Sequence, residues 1–98
     1  MIIVRDIFSL KFGKAKAVKE LWKEGAGIIK KYGDAPHRAM FDLVGNAYTF
    51  VLESTHENLS SYESSLKSTL GAEEWSAWYQ KFIPLVDSSK REIFTIVE

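Results

Sequence analysis

The stretch from His37 to Glu53 constrains this chain more than any other. Gly45-Asn46 separates two runs rich in β-branched and aromatic residues, and a Gly-Asn pair between such runs signals a two-residue hairpin turn. With those two residues as the loop, Val44 faces Ala47, Leu43 faces Tyr48 and Asp42 faces Thr49. The ladder continues with Phe41 opposite Phe50, Met40 opposite Val51, Ala39 opposite Leu52 and Arg38 opposite Glu53. Cross-strand neighbours share a face. One face then holds Ala39, Phe41, Leu43, Tyr48, Phe50 and Leu52, and is strongly apolar. The other holds Arg38, Met40, Asp42, Val44, Ala47, Thr49, Val51 and Glu53, and is mixed. Two partly apolar faces need two covers. Helices of the same chain supply one, and a second copy of the chain is the natural other.

The rest of the chain provides those helices. Ile2 to Phe12 reads as a first strand, with Phe8, Leu10 and Phe12 on one face and Ile3, Arg5, Ile7 and Ser9 on the other. From Lys14 to Tyr32 the apolar residues fall at steps of three and four, which predicts a helix closed by Gly33. Gly25 and Gly27 inside it each cost up to about 1 kcal/mol against alanine, and close approach to the sheet would explain them. Asp34-Ala35-Pro36 reads as a turn into the hairpin. Ser54-Thr55-His56-Glu57 fits a capping box for a helix carrying Leu59, Tyr62, Leu66 and Leu70. A further helix begins near Ala72 and bears Trp75, Trp78, Tyr79, Phe82 and Val86, with Pro84 ending it. Asp87-Ser88-Ser89 reads as a turn and Lys90 to Val97 as the last strand.

The order βαββα(α)β, with a four-stranded antiparallel sheet and helices on one side, is the ferredoxin-like α+β arrangement. Ninety-eight residues form one domain, 1–98, and by area scaling bury roughly 65% of their extended-chain surface. The uncovered sheet face predicts a homodimer in which two sheets enclose a barrel. Thirteen basic residues balance thirteen acidic ones, so no net field recruits nucleic acid or an anionic membrane. There are no cysteines, which excludes disulfides and thiolate metal sites. No apolar run reaches the ~18 residues of a membrane span, and the expected location is the cytoplasm.

Strand one, then Phe12-Gly13-Lys14-Ala15 opening a long helix, then a hairpin, resembles the dimeric α+β barrel superfamily. More narrowly the chain resembles NIPSNAP-like and antibiotic-biosynthesis-monooxygenase-like small domains, and the run Glu74-Trp75-x-x-Trp78-Tyr79-x-x-Phe82-x-Pro84-Leu85-Val86 is similar to NIPSNAP-type sequences. The resemblance spans essentially the whole chain. It implies a homodimer with a cleft between each sheet and its helices, in a group that includes cofactor-independent monooxygenases and haem degraders. Haem degraders resemble one another through an asparagine, a tryptophan and a histidine lining the cleft. Here Asn46 sits in the hairpin turn, Asn58 near a helix start, and the tryptophans on helices, so the haem pattern does not carry over and no cofactor is expected.

Candidate site residues are few. His37, opening the second strand, could act as acid or base at a cleft mouth, although a strand-end histidine at the rim is the more usual reading. Tyr48 could move protons beside it. Trp22, Phe41, Tyr48 and Trp78 could line a pocket for a flat apolar or aromatic ligand, although such a stripe is more often core. His56 with Glu57 and Glu53 offers an incomplete metal-ligand set, and no metal site is expected. Arg5 and Asp42, charged on the mixed faces, are expected to pair across the barrel. Two functions fit: a binding module for a small molecule or protein, without catalysis, or a cofactor-independent monooxygenase acting on an aromatic or quinol.

Overall fold

The computed structural model describes residues 1–33 and 35–97. Its elements are β1 (Ile2–Leu10), α1 (Ala15–Tyr32), β2 (His37–Phe41), β3 (Thr49–His56), α2 (Leu59–Leu70), α3 (Glu73–Phe82), a 3₁₀ turn at Ile83–Leu85, and β4 (Val86–Thr95). The sheet order is β2-β3-β1-β4, antiparallel throughout, with the helices on one face. This is the ferredoxin-like βαββα(α)β architecture. Asp34, part of the expected Asp34–Pro36 turn, lies outside the described residues.

The hairpin register is the expected one where the ladder forms: Arg38 pairs with Glu53, Ala39 with Leu52, Met40 with Val51 and Phe41 with Phe50. Beyond Phe41 the strands part. The Thr49 amide donates to the Asp42 side chain at 2.9 Å, and the Leu10 amide of β1 donates to the Tyr48 carbonyl at 2.8 Å. The expected pairs Leu43–Tyr48 and Val44–Ala47 therefore do not form. A wide loop replaces the two-residue turn, with Ala47 and Tyr48 at φ 62° and 53°. Leu43 and Val44 stand in solvent, not on either sheet face.

Three further boundaries differ, the last two because long-range ladders with β1 outweigh local signals. Strand β1 ends at Leu10, leaving Phe12 exposed past it. Ser54 and His56 are strand residues paired with Val4 and Ile2, so the expected capping box does not exist. Helix α2 is capped instead by Asn58, whose side chain accepts from the Ser61 amide at 2.9 Å. Ser88 and Ser89 pair with Ser9 and Phe8, and the expected Asp87–Ser89 turn is the start of β4, joined through a register shift between Ser9 and Leu10.

The core lies between the sheet and the helices. Leu10, Val18, Ile28, Phe50, Trp78 and Phe82 form its buried centre, with Phe8, Trp22, Phe41, Leu52 and Trp75 packed around it. Trp78 is 1% exposed and its indole donates to the Leu21 carbonyl at 2.8 Å, which satisfies the one polar atom it buries. Helix α3 approaches α1 at Gly25, where an added Cβ would lie 2.7 Å from the Trp78 ring. Close approach does explain Gly25, but to a helix and not to the sheet. Gly27 has no heavy atom within 4 Å of such a Cβ, so packing does not explain it.

The opposite sheet face carries Ile3, Ile7, Met40, Val51 and Phe94 around an ionic cluster. Glu53, 6% exposed, accepts from Arg5 at 2.7 Å and from Arg38 at 2.9 Å. The Arg5 guanidinium lies 5.2 Å from the Phe94 ring centre. The expected Arg5–Asp42 pair is thus replaced by Arg5–Glu53–Arg38 within one sheet, and Asp42 serves the loop.

Candidate functional site

The helix-side faces of β1 and β3 continue past the core centre into a cavity of about 110 Å³. Alternation along β3 puts Leu52, Ser54 and His56 on the same side as Phe50, and β1 adds Asp6. Helix α1 contributes Trp22 and Ile29, α2 contributes Tyr62, Ser65 and Leu66, and α3 contributes Trp75. The walls are mainly apolar, with polar groups from β1, β3 and α2 among them.

Those polar groups form a chain. His56 Nε2 lies 2.8 Å from Ser54 Oγ, and its ring meets Tyr62 edge-on with centroids 5.1 Å apart. Arg91 of β4 lies over the Tyr62 ring, 5.7 Å from its centre, and donates to Asp6. Burial holds the His56 imidazole below its ordinary value of 6.5, which keeps it neutral at neutral pH. Burial pushes the Tyr62 hydroxyl up, with Arg91 opposing and Asp6 adding to the rise. The Tyr62 hydroxyl oxygen is buried and has no hydrogen-bond partner among the described residues. A buried hydroxyl left unpaired costs roughly 1–3 kcal/mol, so it is a place where a partner group would be welcome.

The cavity shares Ala35, His56 and Ser65 with a wider groove of about 670 Å³. That groove is lined on the α2 side by Ser60, Ser61, Ser64, Ser65 and Ser68. Helix α2 buries none of its residues, unlike α1 and α3. The cavity therefore adjoins the groove along a lightly seated helix and His56.

Of the residues singled out from sequence, Trp22, His37 and His56 line the cavity. Phe41 packs on Phe50 with centroids 4.9 Å apart, Tyr48 meets Phe12 at 5.1 Å, and Trp78 sits in the core; none of the three lines it. Ser54, Tyr62, Asp6 and Arg91 are additions made by the structure. Period-two alternation carried beyond Glu53 would have found Ser54 and His56, had the capping-box pattern not ended the strand early. Glu53 lies on the far face with its two arginines, so it cannot join His56 and Glu57 around a metal. No group of three or more metal-ligating side chains occurs among the described residues.

A four-stranded antiparallel sheet with three helices on one face and a cavity between them places the chain in the ferredoxin-like α+β class. The sequence profile of the NIPSNAP family matches residues 6–98, and the chain belongs to that family. An uncharacterised NIPSNAP domain protein from Burkholderia xenovorans is 15% identical, with TM-score 0.90 over 99% of this chain and 95% of that one. A NIPSNAP family protein from Agrobacterium tumefaciens is 17% identical, with TM-score 0.90 over 99% of this chain and 86% of the other. SnoaB, a cofactor-independent oxygenase from Streptomyces nogalater, is 10% identical, with TM-score 0.73 over 99% and 93% of the two chains. No curated protein sequence matches the chain. At such identities the likeness is one of fold.

Proposed function

We propose that this protein is a ligand-binding module whose guest is a small aromatic molecule bearing a hydroxyl or carbonyl group. The observation that carries this is the buried, unpartnered hydroxyl of Tyr62, a residue lining a mainly apolar cavity. Trp22, Leu52, Leu66 and Trp75 would hold the ring, and Tyr62 with His56 would meet the polar end. The cavity is smaller than the roughly 300–1,000 Å³ of ordinary ligand sites, so the guest must be small or must displace α2 toward the serine groove. We read residues 1–98 as one domain working as a cytoplasmic homodimer through the open sheet face. Its apolar residues, left in water by a single chain, support the dimer, and the cysteine-free composition supports the location.

Trp22 and Trp75 make the site self-reporting. Titration with naphthol and naphthoquinone should change tryptophan emission saturably, and Tyr62→Phe should weaken binding about tenfold while leaving the fold intact. No saturable change with either compound, or equal affinity in the variant, removes the proposal.

A second reading is a cofactor-independent oxygenase acting on a quinol. The neutral His56 beside Tyr62 favours it, as does the structural likeness to SnoaB. His56 would accept the proton of the guest hydroxyl, and the resulting anion would pass one electron to dioxygen. His37, at the cavity wall, is the other group able to take that proton. Oxygen uptake with naphthohydroquinone, abolished in His56→Phe, is the expected result. Absence of uptake by the unaltered protein removes this reading and leaves the binding module standing.

A further inference from the structure

At the end of the molecule away from the serine groove, two loops meet. Lys11–Lys14 closes a turn through the Lys14 amide and the Lys11 carbonyl, 3.0 Å apart, and Phe12 extends from it. The β2–β3 loop comes alongside, tied by the Leu10–Tyr48 backbone bond and by the Phe12–Tyr48 ring contact at 5.1 Å. Phe12, Leu43 and Val44 there are 89%, 98% and 93% exposed. We propose that this tip is a peripheral membrane-binding element that inserts Phe12, Leu43 and Val44 among the lipids of an anionic surface.

Three observations favour that occupant. The loop is held in shape at a conformational cost: Ala47 and Tyr48 are consecutive non-glycine residues with left-handed backbone. Such strain persists only where the surroundings enforce it, and here the enforced shape directs two large apolar side chains into water. The patch is also too small for a stable protein interface, which needs about 800 Å² per partner, and three side chains at a convex tip fall well short. Shallow insertion at a headgroup boundary needs only a few such side chains. Finally, the chain is neutral overall but this end is not. Lys11, Lys14 and Lys16 are exposed beside the tip, while Asp42 is engaged by the Thr49 amide and Asp87 is the other acid nearby. Lysines beside an apolar tip complement anionic headgroups.

The absence of cysteine allows a direct test, because Leu43→Cys can carry the only thiol-linked dye. The labelled protein is mixed with vesicles of phosphatidylcholine alone and of phosphatidylcholine with about a third phosphatidylserine, and pelleted. The expected result is a blue-shifted, brighter dye and protein pelleting on the anionic vesicles only, weakening as salt is added. A dye at Ser64→Cys, on α2, should not respond. Lys11→Glu with Lys14→Glu should lower partitioning about thirtyfold or more. Leu43→Asp with Val44→Asp in the unlabelled protein should abolish pelleting, with an unchanged far-ultraviolet circular dichroism spectrum showing that the fold is kept. No pelleting on either vesicle overturns the proposal. So does equal pelleting on both, since that removes the lysines' part, and so does a dye shift that follows protein concentration without vesicles, which would mark the tip as a contact between copies.

Discussion

Gly25 shows how far a single residue can be read. A glycine inside a strongly periodic helix announces a close neighbour, and the neighbour exists; its identity, Trp78, depends on how α3 returns over the sheet, which no local pattern encodes. The two glycines of α1 should therefore behave oppositely. Gly25→Ala drives a methyl group to within 2.7 Å of Trp78 and 2.9 Å of Trp22, and should destabilise by about 1–3 kcal/mol. Gly27→Ala meets open space and should stabilise by about 0.5–1 kcal/mol through helix propensity. Urea denaturation of both variants checks the pair, and equal effects would refute this account of Gly25. His56 is the counterpart case. It was visible as one of two histidines, yet its place in a cavity follows from a strand that runs three residues further than its local sequence suggests.

At the level of elements, legibility followed periodicity. The helices carrying bulky apolar stripes, α1 and α3, lie close to where their spacing puts them, and the β2–β3 register matches its cross-strand charges and aromatics. The misplaced pieces are short polar ones: Ser54–Glu57, Asp87–Ser89 and the Gly45-Asn46 turn. In each, residues favouring turns and caps were drawn into or against the ladders of β1, whose pairing is invisible to a local window. Helix α2 is the least anchored of the three helices, with serines where the others have aromatics. Its amides should exchange with solvent well before those of α1 and α3, through local opening. A saturating aromatic guest should slow that exchange, most of all near Tyr62. Exchange in α2 as slow as in α1 would mean that the cavity does not open this way.

For the whole molecule, the open sheet face sets the next question. Ile3, Ile7, Met40, Val51 and Phe94 surround a carboxylate already shielded by two guanidiniums, and burying several hundred Å² of such a face contributes many kcal/mol before association costs at ~25 cal/mol per Å². Sedimentation should give twice the 11.2 kDa chain mass at micromolar concentration, and Val51→Glu should halve it without unfolding the chain. A single-chain mass for the unaltered protein refutes the dimer. The sheet order carries one more consequence. Strand β1 is the first strand made, yet it lies between β3 and β4, which are made later. On the ribosome it has nothing to pair with until the hairpin arrives, and its second edge stays bare until β4 emerges. The helices can form as they appear, but the sheet closes around the first of its four strands last, so folding must wait for β4 and be slower than the helix content alone would suggest.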